Sequence, residues 1–138
     1  MKVFVDANVL VAVLNKEYPM FSYASRVLSL NDSPKFDVYT SPACLAIALY
    51  FSEKKSGNAL ARNKIKYLCE HIHIADTDQN TVNKAISNKK VHDFEDGLEY
   101  YSATASGCKC IVTEDVGDFY FSEMEVMKPK EFLLKYLS

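Results

Sequence analysis

Val3-Phe4-Val5-Asp6-Ala7-Asn8-Val9-Leu10-Val11-Ala12-Val13-Leu14 decides the class of the fold. Val3-Phe4-Val5 is a short strand, β-branched and aromatic, with no polar residue to mark a solvated face. A strand apolar on both sides belongs in a sheet covered on both faces, which is the habit of parallel α/β sheets. Asp6 follows directly, and the apolar run from Val9 to Leu14 reads as the first helix. A carboxylate between two apolar runs sits at the edge of the core and needs a partner there. As local structure it is a helix N-cap or a turn residue. As chemistry it is a ligand at the carboxyl end of a strand.

The same alternation continues along the chain. Phe36–Thr40, Ile72-His73-Ile74, Cys110–Thr113 and a weak Val126-Met127 read as strands. Helical stretches separate them. Ala43 to Glu53 carries Leu45, Leu49 and Ser52 on one face, with Ala46 and Tyr50 beside it. Thr81 to Ser87 pairs Val82 with Ile86. Phe94, Leu98, Tyr101 and Ala105 form a buried stripe, and Pro129 suits the first turn of a helix running through Leu133 and Leu137. Five strands alternating with helices indicate an α/β domain with a mostly parallel sheet.

The 138 residues suffice for one domain, 1–138, and no linker or repeat divides them. Apolar residues at 49% and charged residues at 25% exclude a disordered chain. No apolar run reaches the ~18 residues of a membrane helix, and the start lacks the features of a secretory signal, so the expected place is the cytoplasm with no membrane contact. A net charge of −2 excludes a broadly basic nucleic-acid coat but not a local patch. Cys44, Cys69, Cys108 and Cys110 make neither a disulfide framework nor a zinc knuckle, and reduced thiols are expected.

Parallel sheets place their chemistry just beyond the carboxyl ends of the strands. Three acidic groups fall there or at a helix start: Asp6; Asp93-Phe94-Glu95-Asp96; and Thr113-Glu114-Asp115-Val116-Gly117-Asp118. Asp93 is a natural N-cap, and Asp96, three positions on, faces the same way. The last group also reads as a solvated loop. Converging carboxylates repel unless a cation neutralises them, and hard oxygen ligands suit Mg²⁺ or Mn²⁺.

These residues resemble the PIN-domain family. Val3 to Leu10 resembles its opening, Asp93 to Ala103 its central acidic helix, Cys110 to Asp115 with Asp118-Phe119 its last acidic segment, and Val126 to Leu133 its closing strand and helix. The resemblance implies a three-layer α/β/α sandwich and a divalent-metal-dependent ribonuclease cutting single-stranded RNA. Many relatives are VapC-like toxins held by an antitoxin, and a homo-oligomer, a dimer, is implied with it. Carried over, Asp6, Asp96 and Asp115 or Asp118 are the catalytic, metal-binding carboxylates. Asn8 and Thr113 are polar supports, and Asp93 is a less central acid. One position departs: the family usually has an acid in the helix after the second strand, and Ile47 stands there. Glu53, six residues on, points elsewhere. This raises the alternative of a catalytically weak or inactive PIN-fold module that binds RNA or protein. From another class, a phosphoacceptor receiver domain also puts acids at strand ends, with Thr113 and Lys128-Pro129 in its favour and no second acid beside Asp6 against it.

Other features have plainer readings beside the functional ones. His71 and His73 alternate on one expected strand, and with His92 they make a weak metal signal. Lys54, Lys55, Arg62, Lys64 and Lys66 either meet RNA phosphates or form a solvated helix face. Tyr18, Phe21 and Tyr23 sit close together as candidates for base stacking or partner docking.

Overall fold

In a computed structural model, residues 1–137 are described. Five strands, β1 (Lys2–Val5), β2 (Asp37–Thr40), β3 (His73–Ile74), β4 (Cys110–Val112) and β5 (Glu125–Met127), form one sheet in the order β3-β2-β1-β4-β5. Every pairing is parallel. Receiver domains follow the order 2-1-3-4-5, so that rival is excluded. β1 is central and fully buried from Val3 to Val5, as is all of β4, which explains their unbroken apolar sequence.

Seven α-helices connect and flank the strands: α1 (Ala7–Leu14), α2 (Met20–Ser29), α3 (Pro42–Ser56), α4 (Asn58–His71), α5 (Gln79–Ser87), α6 (Phe94–Ala105) and α7 (Pro129–Leu137). The path steps outward from β1 to β2 to β3, then returns across the sheet to β4. Right-handed crossovers then put α1–α4 over one face and the α5–α6 pair over the other. Packing agrees: α1 lies on α2 and α3, α2 on α7, α3 on α4, and α5 on α6. The result is an α/β/α sandwich. The reversal of direction at β1 leaves a crevice at the carboxyl ends of β1 and β4, where such sheets bind ligands.

The elements begin where local chemistry starts them. Ser41 caps α3 through the Cys44 N–H, ahead of Pro42 in the first turn, and Asp78 and Asp93 cap α5 and α6. Gly57, at φ 82°, turns α3 into α4 in a conformation costly to any residue with a Cβ.

Three expectations about faces are corrected. On α6 the buried residues are Gly97, Glu99, Tyr100, Ser102 and Ala103, while Phe94 is exposed. On α5 Thr81 and Ala85 are buried and Ile86 is exposed. On α3 Ser52 is buried as expected, but with Cys44 and Ala48, and Tyr50 is exposed. The cause is close approach: a Cβ on Gly97 would stand 2.8 Å from Val91 Cγ1 and 3.2 Å from the Ala85 Cβ. Small residues face inward where helices nearly touch, and larger apolar ones lie outside. His71 and His73 also do not share a strand; His71 ends α4 and only His73 is in β3.

Candidate active site

Asp6 prolongs β1. Its N–H donates to the Val112 carbonyl at 3.0 Å, so the residue is anchored to β4. Its Oδ1 accepts the Ala7 N–H at 2.6 Å, which makes it the N-cap of α1. Its Oδ2 accepts the Thr113 hydroxyl at 2.8 Å and the Asn8 amide at 3.3 Å. Cap and candidate ligand are therefore the same carboxylate, and the two readings of Asp6 do not compete.

Asn8 and the fully buried Thr113 hold the two strand ends together. Asn8 Nδ2 reaches Thr113 Oγ1 at 3.0 Å and Asp115 Oδ2 at 3.3 Å, while its Oδ1 accepts the Glu114 N–H at 3.1 Å. Thr113 Oγ1 also accepts the Asp115 N–H at 3.0 Å. Asp118 follows in a 3-10 turn, Val116–Phe119, whose N–H at Asp118 donates to the Asp115 carbonyl at 3.0 Å.

From the other side comes α6. Asp93 caps it, accepting the Glu95 N–H at 2.9 Å, and Asp96 sits in its first turn. A helix N-terminus normally favours negative charge. Here the carboxyl of Asp96 is nonetheless pushed up to about 7, by burial first, then by the charges of Asp93, Asp118 and Asp6. Burial and the neighbouring acids Asp115, Asp6 and Asp93 raise Asp118 as well. Asp6, Asp93, Asp96, Asp115 and Asp118 all line one crevice. Nine carboxylates border it, and among the described residues no Lys, Arg or His does. Such a concentration of oxygen donors fits a divalent cation and little else.

Two members were not foreseen: Glu99 and Cys44. Glu99 is 1% exposed and lines the crevice one turn beyond Asp96. The Cys44 thiol donates to Glu99 Oε1 at 3.0 Å. Burial, then a hydrogen bond to Asp6 and the Asp6 charge, push Glu99 up to about 11, so without a cation it holds its proton. Burial above all raises the Cys44 thiol well above the usual thiol range. Ligand atoms of Asp6, Cys44 and Glu99 lie within 4.8 Å of one another. The available signal was the i, i+3 spacing of Asp96 and Glu99. Ile47 borders the crevice as expected, whereas Glu53 accepts a hydrogen bond from Asn58 at 2.9 Å outside it.

Several of the remaining candidates make structural contacts, while Arg62 and Lys66 are exposed. Lys55 and Lys64 donate to the carbonyls of Asn15 and Leu14 at the end of α1. His73 stacks on Tyr39, His71 packs on Tyr67 and His92 on Tyr120. Tyr18 packs on Phe21, and Tyr23 against the core. The four cysteines are free thiols. No helix among the described residues is long and apolar enough to cross a membrane.

The comparisons with known proteins bear on the family and the fold. The PIN domain model matches residues 2–117. The chain is 32% identical over 135 residues to Ribonuclease VapC1 of Aquifex aeolicus (strain VF5), covering 95% of this chain and 92% of that protein. Among solved structures, VapBC-1 of nontypeable Haemophilus influenzae superposes with a TM-score of 0.72 at 14% identity, covering 94% of this chain and 99% of that one. VapBC2 of Rickettsia felis, bound to a promoter DNA fragment, gives 0.71 at 17% identity, covering 93% and 98%. With its parallel sheet, its crevice at the switch point and a family match over most of its length, the chain belongs to the PIN-domain family.

Proposed function

We propose that residues 1–138 act as one domain, a Mg²⁺- or Mn²⁺-dependent endoribonuclease that cuts single-stranded RNA in the cytoplasm as the toxin of a toxin–antitoxin pair. The observation that carries this is the meeting of Asp6, Asp96, Asp115 and Asp118 in one crevice whose lining, among the described residues, has no cationic side chain. The name of the Aquifex relative, a ribonuclease, and the VapBC titles of the structural neighbours support RNA as substrate and an antitoxin as partner. Self-association as a dimer belongs to the same reading.

Asp6, Asp96 and Asp115 would hold the ion, with Asp118 completing the acidic wall. A bound ion would supply Lewis acidity at the scissile phosphate. The protein's own part is preorganisation. Thr113 and Asn8 fix the oxygens of Asp6 and Asp115, so the ligands need not be ordered at the moment of reaction. Asp93 sets the start of α6 and thereby the position of Asp96. Unpaired RNA suits acids recessed at the strand ends, because its backbone can bend toward them where a stiff A-form duplex does not.

The test is cleavage of a labelled unstructured RNA with Mn²⁺, with EDTA, and by Asp96→Asn. Cutting that needs both the metal and Asp96 is expected. No cutting by the wild-type protein at any Mn²⁺ concentration refutes the reading.

A further inference from the structure

The resemblance to the PIN-domain family implies an acid on the helix after the second strand, and Ile47 stands at that place and borders the crevice. The structure offers a carboxylate from the opposite wall. Glu99 projects from α6 into the same crevice, on the face that carries Asp96 one turn earlier. It is buried to 1% exposure, and its carboxyl meets a carboxylate, Asp6, and a thiol, Cys44. The two carboxyl groups lie close enough to offer one cation an oxygen each, and among the described residues no Lys, Arg or His borders the crevice to compete for them.

We propose that Glu99 supplies the metal with a carboxylate from α6 in place of the acid absent at Ile47 on α3, and that Cys44 is its positioning residue. The inference rests on the nuclease reading above and names a ligand that reading does not include. Cys44 lies one turn before Ile47 on α3, so the face that lacks the acid carries the thiol that orients its replacement. The thiol, donating to Oε1 at 3.0 Å, fixes the Glu99 carboxyl beside that of Asp6. Asp96 and Glu99 then form a two-carboxylate claw on one rigid helix, facing Asp6 and Asp115 from the sheet.

The experiment is Mn²⁺ binding to the full chain by isothermal titration calorimetry, with circular dichroism to check folding. The variants are Glu99→Gln, Asp6→Asn and the swap Ile47→Glu/Glu99→Gln. Glu99→Gln should weaken Mn²⁺ binding by about tenfold or more, since even indirect ligand supports are worth 10–100-fold. The swap should regain most of the loss. Mn²⁺ binding within about twofold of wild type in Glu99→Gln, together with loss in Asp6→Asn, overturns the role of Glu99 and leaves the nuclease reading standing. Unchanged binding in Asp6→Asn refutes that reading itself. Should Glu99→Gln not fold, Glu99→Asp keeps an acid in the same space but withdraws it by one methylene. Weaker Mn²⁺ binding supports the ligand role there, and wild-type binding overturns it.

Discussion

Replacing Asp96 with Asn should make the metal-free protein more stable, and only above acid pH. Asp96 is half-buried among Asp93, Asp118, Asp6 and Glu95, and the largest influences on its carboxyl are burial and these neighbouring charges. Its carboxyl titrates at about 7 in the folded chain, against an ordinary 3.8. A carboxyl raised on folding costs stability as it ionises. The penalty is absent well below pH 4, grows as pH rises from about 4 to about 7, and is constant above. Three units at about 1.4 kcal/mol each would be about 4 kcal/mol for a buried group. More than half of that is discounted for solvent screening, which leaves about 1–2 kcal/mol. For a chain of this length the gain is about 3–8 °C in Tm. Thermal melts of both proteins in EDTA at pH 8 and pH 4 measure it. Asp96→Asn should melt higher at pH 8 and nearly level with wild type at pH 4. An equal or lower melting point at pH 8, or the same difference at both pH values, refutes the electrostatic argument.

Mn²⁺ at a hundred times its Kd should stabilise the wild-type protein by about 2.7 kcal/mol, and differential scanning fluorimetry should show this shift lost in Asp96→Asn. Thr113→Val keeps shape but removes the hydroxyl that joins Asp6, Asn8 and the Asp115 N–H; urea unfolding should report a loss of about 1–3 kcal/mol. Gly97→Ala should lower Tm despite the better helix propensity of Ala, because the new methyl meets Val91 and Ala85; overpacking of this kind costs about 1–3 kcal/mol, against about 1 gained.

The fold was legible because the central strands are unmixed. Val3-Phe4-Val5 and Cys110-Ile111-Val112 are buried on both faces and flanked by polar residues, a pattern with few solutions. Asp6, Asn8 and Thr113 were legible for the same reason, since strand ends can be read from the sequence. Helix faces were not. The stripe through Phe94 and Leu98 follows size, whereas α6 buries Gly97 and Ala103 because a neighbouring helix comes close. Glu99 escaped notice because an apolar-stripe argument assigns a Glu to solvent. Only the approach of α3, carrying Cys44, shows that this one points inward. The two lysines at the end of α1 were equally opaque, because their partners lie 40 and 50 positions away.

That pair of lysines has a consequence for how the crevice keeps its shape. α1 has only eight residues, too few to persist as a free helix in water. Its first turn is moored by the Asp6 carboxylate, and its last carbonyls are moored by Lys55 from α3 and Lys64 from α4. The rod is braced at both tips, so the wall bearing Asn8 and Val11 cannot fray from either end without breaking a charge-assisted bond. Order at the acidic crevice is thus underwritten in part from the corner between α3 and α4, at the opposite tip of α1. Damage at that corner would loosen the ligands of a site it never touches.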